Sequence, residues 1–189
     1  MTISEAELTI REFSPGDQAA FRRLNEEWII RYFAMETKDE ASLADPERTI
    51  LSRGGRIFFA VRDSQTVGCC ALLALAPGEF EVAKMAVTES FQGAGIGRRL
   101  LEKAITEARA AGARRLYLET NKKLVTAIRL YESLGFRHLP RERIVHSAYA
   151  RADVYMELYL DESSPGRHPH AGSSTPTGTT GEQSPRSPC

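Results

Sequence analysis

Glu79 to Arg99, EFEVAKMAVTESFQGAGIGRR, reads as a strand, a tight turn and the start of a helix. Val82, Met85 and Val87 give the first part strand character. Thr88-Glu89-Ser90 breaks it. Gln92-Gly93-Ala94-Gly95-Ile96-Gly97 then places three glycines in five residues, followed at once by Arg98 and Arg99. Glycines so spaced let the backbone turn sharply and approach another group without Cβ in the way. A helix starting behind them leaves N–H groups unpaired at the positive end of its dipole. Such an end suits a phosphate or diphosphate, and two arginines add charge-assisted donors.

The spacing separates this loop from other glycine-rich phosphate loops. A dinucleotide fingerprint needs G-x-G-x-x-G, and here Gly97 comes one residue early. Glu119, at the end of a later strand, lies too far on to serve as the ribose-binding acid. A P-loop needs Lys-Ser or Lys-Thr after its glycines, and neither follows. What remains is Q-x-x-G-x-G, read as Gln92, Gly95 and Gly97, after a strand ending in Met85-Ala86-Val87.

That pattern resembles the pyrophosphate loop of the GNAT superfamily, the acyl-coenzyme A-dependent N-acyltransferases. A second piece has the same character. RRLYLE (Arg114 to Glu119) is followed by Thr120-Asn121 and then by Leu130-Tyr131-Glu132-Ser133-Leu134-Gly135-Phe136. This is similar to the family's fifth strand, its asparagine and its L-Y-x-x-x-G-F helix end. The resemblance spans residues 7–160. It implies an α/β (α+β) fold: one domain built on a mixed, twisted sheet of about seven strands with helices on both faces. It also implies acetyl-CoA as acyl donor, held by Met85, Ala86, Val87, Gln92, Gly93, Ala94, Gly95, Ile96, Gly97, Arg98 and Asn121.

The residues themselves agree with a mixed sheet. Leu8 to Phe13 alternates as a first strand, and Phe21, Leu24, Trp28 and Tyr32 recur at helical spacing. Order is lost from Tyr32 to Asp39. Asp45-Pro46 reads as an N-cap and first position of a short helix ending before Gly54-Gly55. Ile57 to Val61 and Val67 to Leu75 form a hairpin around Asp63-Ser64-Gln65. Ile96, Leu100, Leu101, Ala104, Ile105 and Ala108 make one apolar stripe on a helix stopped by Gly112. Strand, helix and strand around the glycine loop call for a right-handed parallel crossover. The last strand is expected at Asp153 to Leu160. From Asp161 the composition turns to Ser, Pro, Gly and Thr. It lacks the apolar side chains needed to offset ordering entropy, so 161–189 is expected to be a disordered tail.

Composition excludes several classes. Lys+Arg and Asp+Glu are both 25 in 189 residues, so the net charge is zero, unlike a dedicated nucleic-acid binder. No apolar run reaches membrane-spanning length, and MTISEAELTI lacks the features of a secretory signal. Of three cysteines, Cys69 and Cys70 are adjacent in a strand and point to opposite faces. An odd count without pairing fits a reducing cytoplasm. His168 and His170 lack further ligands, so no metal site is expected.

Acyl transfer to an amine needs a proton acceptor, a stabilised carbonyl oxygen and a protonated leaving thiolate. Glu81 is the candidate base; by parity it shares a face with Val87, six residues on. A surface Glu paired with Lys84 is the other reading, and Glu79 competes for the role. Tyr131 is the candidate acid, since a phenol near pKa ~10 can protonate a thiolate whose conjugate acid is near ~8.5. It could equally be core, on the stripe of Leu124 and Ile128. Asn121 fits a cofactor contact or an N-cap. No cysteine lies in the two motifs, which points to direct transfer in a ternary complex. The resemblance implies a primary amine on a small molecule or peptide as acceptor, with no nucleic acid or membrane expected as partner and a homodimer left open. Glu36, Asp39 or Glu40 could hold a cationic acceptor; the run Arg141 to Arg151 could hold an acceptor carboxylate. The rival reading is a non-catalytic acyl-CoA-binding or sensing module.

Overall fold

The computed structural model describes residues 8–144, Ser147 and residues 149–160. The expected tail, with His168, His170 and Cys189, lies outside the described residues. Seven strands form one sheet in the order β1-β2-β3-β4-β5-β7-β6. They are β1 (Thr9–Glu12), β2 (Arg56–Arg62), β3 (Gln65–Ala76), β4 (Glu79–Val87), β5 (Arg115–Thr120), β6 (Arg137–His138) and β7 (Val154–Tyr159). All neighbours are antiparallel except β4 and β5, which run parallel around the helix that follows the glycine loop. The expected mixed sheet is therefore present, with one strand, β6, that the sequence did not announce. It is two residues long and both are exposed, so it carries no alternation to read.

Helices cover both faces. On one side α4 (Ile96–Ala110) buries all six residues of its apolar stripe, and α5 (Val125–Ser133) joins it through Tyr131. They pack on Phe58, Cys70, Leu72, Val82, Leu116, Leu118 and Met156. On the other side lie α1 (Gln18–Tyr32), α2 (Thr37–Ala44) and α3 (Pro46–Thr49). Phe21, Leu24 and Ile29 of α1 and Leu43 of α2 pack on Ile57, Phe59, Cys69, Ala71 and Ala86. Strand alternation sends neighbours to opposite cores, which is why four successive residues of β2 are buried. Cys69 and Cys70 divide between the two cores as expected and are free thiols.

Two local outcomes depart from the expected pattern. The segment after Tyr32 is not irregular throughout: α2 forms at Thr37–Ala44. Its period is hidden because Leu43 is its one buried apolar residue, and its other buried residue is Asp39. The Asp39 carboxylate accepts the Glu36 N–H at 3.2 Å, a reciprocal cap of the capping-box kind. The second departure is in β4. Ala83 pairs with Ala71 and Ala86 with Cys69, so Lys84 and Met85 together oppose Cys70. This is a β-bulge, with Lys84 at φ +51°.

Among the described residues no helix is long and apolar enough to cross a membrane.

Candidate active site

β4 and β5 pair only through Glu79↔Arg115, Phe80↔Leu116 and Glu81↔Tyr117. Beyond Glu81, β4 runs on to Val87 and β5 to Thr120 without meeting. The strands open like a wedge, and a cavity of about 620 Å³ fills the opening. Met85, Ala86 and Val87 line one side and Glu119, Thr120 and Asn121 the other. Gln92, Gly93, Gly95, Ile96, Gly97 and Arg98 border it at the start of α4.

The glycine loop is built as the sequence requires, with a division of labour among its glycines. Gly95 caps α4 at φ +75°, a left-handed conformation that favours glycine. A Cβ there would meet nothing within 4 Å, so the space over it is open for a ligand. Gly97 is different. It lies inside the helix, where a Cβ would come within 3.1 Å of the Met85 side chain; its role is close packing of α4 on β4. The first intrahelical bond runs from the Arg99 N–H to the Gly95 carbonyl at 3.2 Å. The N–H groups of Ile96, Gly97 and Arg98 precede it and remain available at the helix start. Gln92 donates through Nε2 to the Val87 carbonyl at 3.0 Å, tying the loop back to the strand. Ala94 is exposed on the loop and does not line the cavity.

The two arginines part company. Arg98 lines the cavity and donates to Ser133 Oγ at 2.7 Å, linking α4 to α5. Arg99 donates to the Leu8 carbonyl at 2.9 Å. That places it at the edge strand, away from the loop it was expected to serve.

Glu81 lines the cavity and makes no salt bridge or hydrogen bond among the described residues. Burial, and then the nearby Glu119 charge, push its carboxyl up from 4.5 to about 7, against the pull of Lys38 and Lys84. Glu79, the competitor, is engaged: Arg115 holds it at 2.9 Å while also holding Glu157 at 2.9 Å. The parity argument for Glu81 fails, however. The bulge at Lys84 shifts the phase of β4, so Val82, Met85 and Val87 all face the α4 core. Glu81 is adjacent to Val82 and opposite Leu73, which belongs with the α1 core. Glu81 therefore stands on the α1 and α2 side, opposite to Val87.

Tyr131 is 9% exposed, packs against Phe136 at a centroid distance of 6.0 Å and also borders the cavity. Burial raises its phenol further above the ordinary value of 10, so it stays protonated across the neutral range. Core packing and cavity lining both hold for this residue. Asn121 does not cap α5, which begins four residues later. Its Oδ1 accepts from the Lys123 N–H at 2.9 Å and its Nδ2 donates to the Arg151 carbonyl at 2.6 Å.

Glu119 and Lys84 escaped the sequence reading as site residues, whereas Trp28, Tyr32 and Phe33 are offered by the sequence as the lining of an acceptor pocket and Tyr149 lies in the run Arg141 to Arg151. Glu119 faces Glu81 across the opening and accepts from the Tyr117 hydroxyl at 3.1 Å and from Ser147. Lys84 and Tyr149 line the cavity together with Trp28, Tyr32 and Phe33 of α1 and the turn after it. Two of the three carboxylates expected to hold an acceptor amine, Asp39 and Glu36, are already engaged. Asp39 binds Lys84 at 2.8 Å and Arg151 at 2.6 Å, and Glu36 binds Arg151 at 3.0 Å. Arg151 and Arg143 are likewise paired, the latter with Glu157 at 2.6 Å.

A wedge between two parallel strands that opens onto a helix start with free N–H groups fits the GNAT resemblance of the sequence. The profile of the Acetyltransferase (GNAT) family matches residues 19–136, more than half the chain, and the chain belongs to that family. It is 35% identical over 130 residues to an IAA acetyltransferase of Azospirillum brasilense, covering 68% of this chain and 84% of that one. It is 34% identical over 92 residues to the [Ribosomal protein bS18]-alanine N-acetyltransferase of Escherichia coli, covering 48% of this chain and 62% of that one. In fold it is similar to a GNAT acetyltransferase of Staphylococcus aureus, with TM-score 0.75 at 21% identity over 82% of this chain and 100% of the other. It is also similar to yncA of Salmonella typhimurium, solved with acetyl-CoA, with TM-score 0.66 at 23% identity over 84% and 97% of the two chains. The chain is an acyltransferase enzyme, and the non-catalytic reading falls away.

Proposed function

We propose that this enzyme moves an acetyl group from acetyl-CoA to a primary amine by direct transfer, with donor and acceptor bound together. The observation that carries the reading is the open β4–β5 wedge, with a carboxylate unpaired among the described residues on its wall and a glycine-cradled helix start at its mouth. The diphosphate of the donor would lie on the N–H groups of Ile96, Gly97 and Arg98. The pantetheine arm would run along the free edge of Met85, Ala86 and Val87, whose backbone groups lack a β5 partner. Asn121 would border it from the opposite strand. Backbone donors on that edge would stabilise the carbonyl oxygen as it gains charge.

The neutral amine nitrogen attacks the thioester carbon and forms the C–N bond. Glu81 takes the proton that the nitrogen must lose. The C–S bond breaks, and the thiolate takes a proton from Tyr131, leaving amide and free CoA; as the products leave, Glu81 gives up its proton to solvent and Tyr131 regains one from solvent. A carboxylate near pKa 7 suits proton transfer at neutral pH. A covalent acyl-enzyme finds no support in the two described cysteines: Cys69 and Cys70 are buried, and burial pushes the Cys69 thiol up to about 12.

The test is an acetyl-CoA turnover screen across amino acids, polyamines, aminoglycosides and peptides. Thiol release and the mass of the N-acetyl product are read together. Stoichiometric release with an acetylated amine supports the proposal. Thiol release that no amine accelerates would sink it.

A further inference from the structure

The bulge in β4 is held from three directions. The Lys84 carbonyl accepts from the Cys69 thiol at 3.4 Å. Its ammonium donates to Asp39 Oδ1 at 2.8 Å and to the Tyr149 hydroxyl at 3.0 Å. Asp39 is fully buried and Lys84 is 7% exposed in its side chain. Arg151 closes the arrangement with two bonds to Asp39, at 2.6 and 2.8 Å. The ring of Tyr149 lies under the Lys38 and Arg151 cations, each 4.5 Å from its centroid, and Lys84 stands at 5.1 Å. One carboxylate thus joins three segments far apart in the chain: α2, the bulge, and the turn before β7. Lys84, Tyr149 and Arg151 all line the cavity, whereas Asp39 does not.

We propose that Asp39 is a positioning residue: by pairing with Lys84 and Arg151 it fixes the β4 bulge and the Tyr149–Arg151 wall relative to each other, and so sets the geometry of the acceptor end of the cavity. Three physical points support this. A lysine at φ +51° is costly for a side chain with a Cβ and persists only where surroundings over-determine it. A charge inside the protein that loses its partner is far more disruptive than the same loss at the surface. And the bulge is what turns Glu81 away from the face of Val87, so whatever holds the bulge holds the base in place. That last link rests on Glu81 being the base; the rest stands without it.

The experiment uses the full chain and the variants Asp39→Asn, Lys84→Met and the double variant. Peptide-resolved hydrogen exchange is followed over 36–44, 79–87 and 149–160. Asp39→Asn should speed exchange about tenfold or more in both 79–87 and 149–160, as expected when a cooperative tie is lost. Lys84→Met should do so mainly in 79–87, and the double variant should resemble Asp39→Asn alone. In turnover, kcat should fall about tenfold in each single variant and no further in the double, since residues acting as one unit are not additive. The affinity for CoA, read by calorimetry, should change less than about twofold, a difference at the edge of significance in binding energy. If Asp39→Asn does not fold, Lys84→Met decides, because it leaves Asp39 paired with Arg151. The proposal is overturned if exchange changes only in 36–44, or if the two single variants lower kcat independently and multiply in the double. Hydrogen exchange needs no substrate, so failure to acetylate any amine would refute the proposed function and leave this tie to be judged by itself.

Discussion

Replacing Glu81 with Gln keeps shape and volume but removes the proton acceptor, and its consequences follow from one number. The Glu81 carboxyl is raised from 4.5 to about 7. A base at that value is about one-tenth ionised at pH 6 and nine-tenths at pH 8. The parent kcat should therefore climb about tenfold between those pH values through this group alone. Neutral amine also rises with pH, but its limb moves with the acceptor, near ~8 for an α-amino group and near ~10.4 for an alkyl amine. A limb near pH 7 that is common to both acceptors belongs to Glu81. In Glu81→Gln that limb should vanish, and kcat at pH 7 should fall on the order of 10²–10⁴.

Stability supplies a second, independent reading. Because the folded pKa lies above the unfolded one, the native state binds more protons between pH 4.5 and 7. Stability from this group is full below 4.5 and falls as pH rises to 7. At about 1.4 kcal/mol per pH unit, the ionised carboxylate costs roughly 3 kcal/mol at pH 8. Glu81→Gln avoids that cost, so its melting temperature should exceed that of the parent at pH 8 and match it near pH 4. The measurements are kcat against pH with both acceptors at saturating acetyl-CoA, and thermal melts across the same range. A limb near pH 7 that survives in Glu81→Gln, or a variant that melts no higher at pH 8, would refute the assignment.

Tyr131→Phe removes a donor whose pKa lies above the neutral range, so its kcat should fall by a similar factor at every pH from 6 to 9; full activity would return Tyr131 to a packing role alone. Gly95→Val forces a branched side chain into a φ of +75° at the mouth of the cavity. CoA affinity should drop at least tenfold, about 1.4 kcal/mol, by calorimetric titration, and unchanged affinity in a folded variant would remove the loop from the binding argument. Truncation after Leu160 removes a segment without core-forming side chains; a fall of more than a few degrees in melting temperature would show that it packs on the domain.

Much of the fold was written in spacing. The α4 stripe, the β2–β3 hairpin and the parallel crossover each follow from a period or a turn residue, and each is found where the pattern puts it. α2 was illegible because it buries one leucine and one aspartate, which no apolar period can reveal. Its signal was Glu36 followed by Asp39 at capping-box spacing. The bulge did leave a trace. Phe80 and Val82 keep even phase, Met85 and Val87 keep odd phase, and all four pack on the α4 core. A strand whose apolar residues change phase across one charged residue has an extra residue there. Reading that shift would have placed Glu81 on the correct face. Glu119 could not be found this way, because only the tertiary fold brings it to the wedge; Tyr149 and Arg151 lie in the run Arg141 to Arg151 that the sequence offers for the acceptor, but their place on the wall is likewise set by the tertiary fold.

The phase shift also explains how one strand serves both sides of the site. With unbroken alternation, Glu81 would project from the same face as Met85 and Val87, into the core beneath α4. There it would be walled off from the α1 and α2 side, where Trp28, Tyr32, Phe33 and Tyr149 line the cavity. The bulge separates these duties. Before it, β4 pairs with β5 and presents Glu81 toward the aromatic wall. After it, the strand bends, as bulged strands do, and its backbone edge from Met85 to Val87 is left without a β5 partner. The cost is a lysine in the left-handed region, on the order of 1–3 kcal/mol. Its bonds to Asp39 and Tyr149 and the thiol on its carbonyl offset that cost. Strain is thus concentrated at the residue of β4 where the stretch carrying Glu81, the proposed base, becomes the stretch proposed to face the donor, and the ion pair that holds it comes from α2.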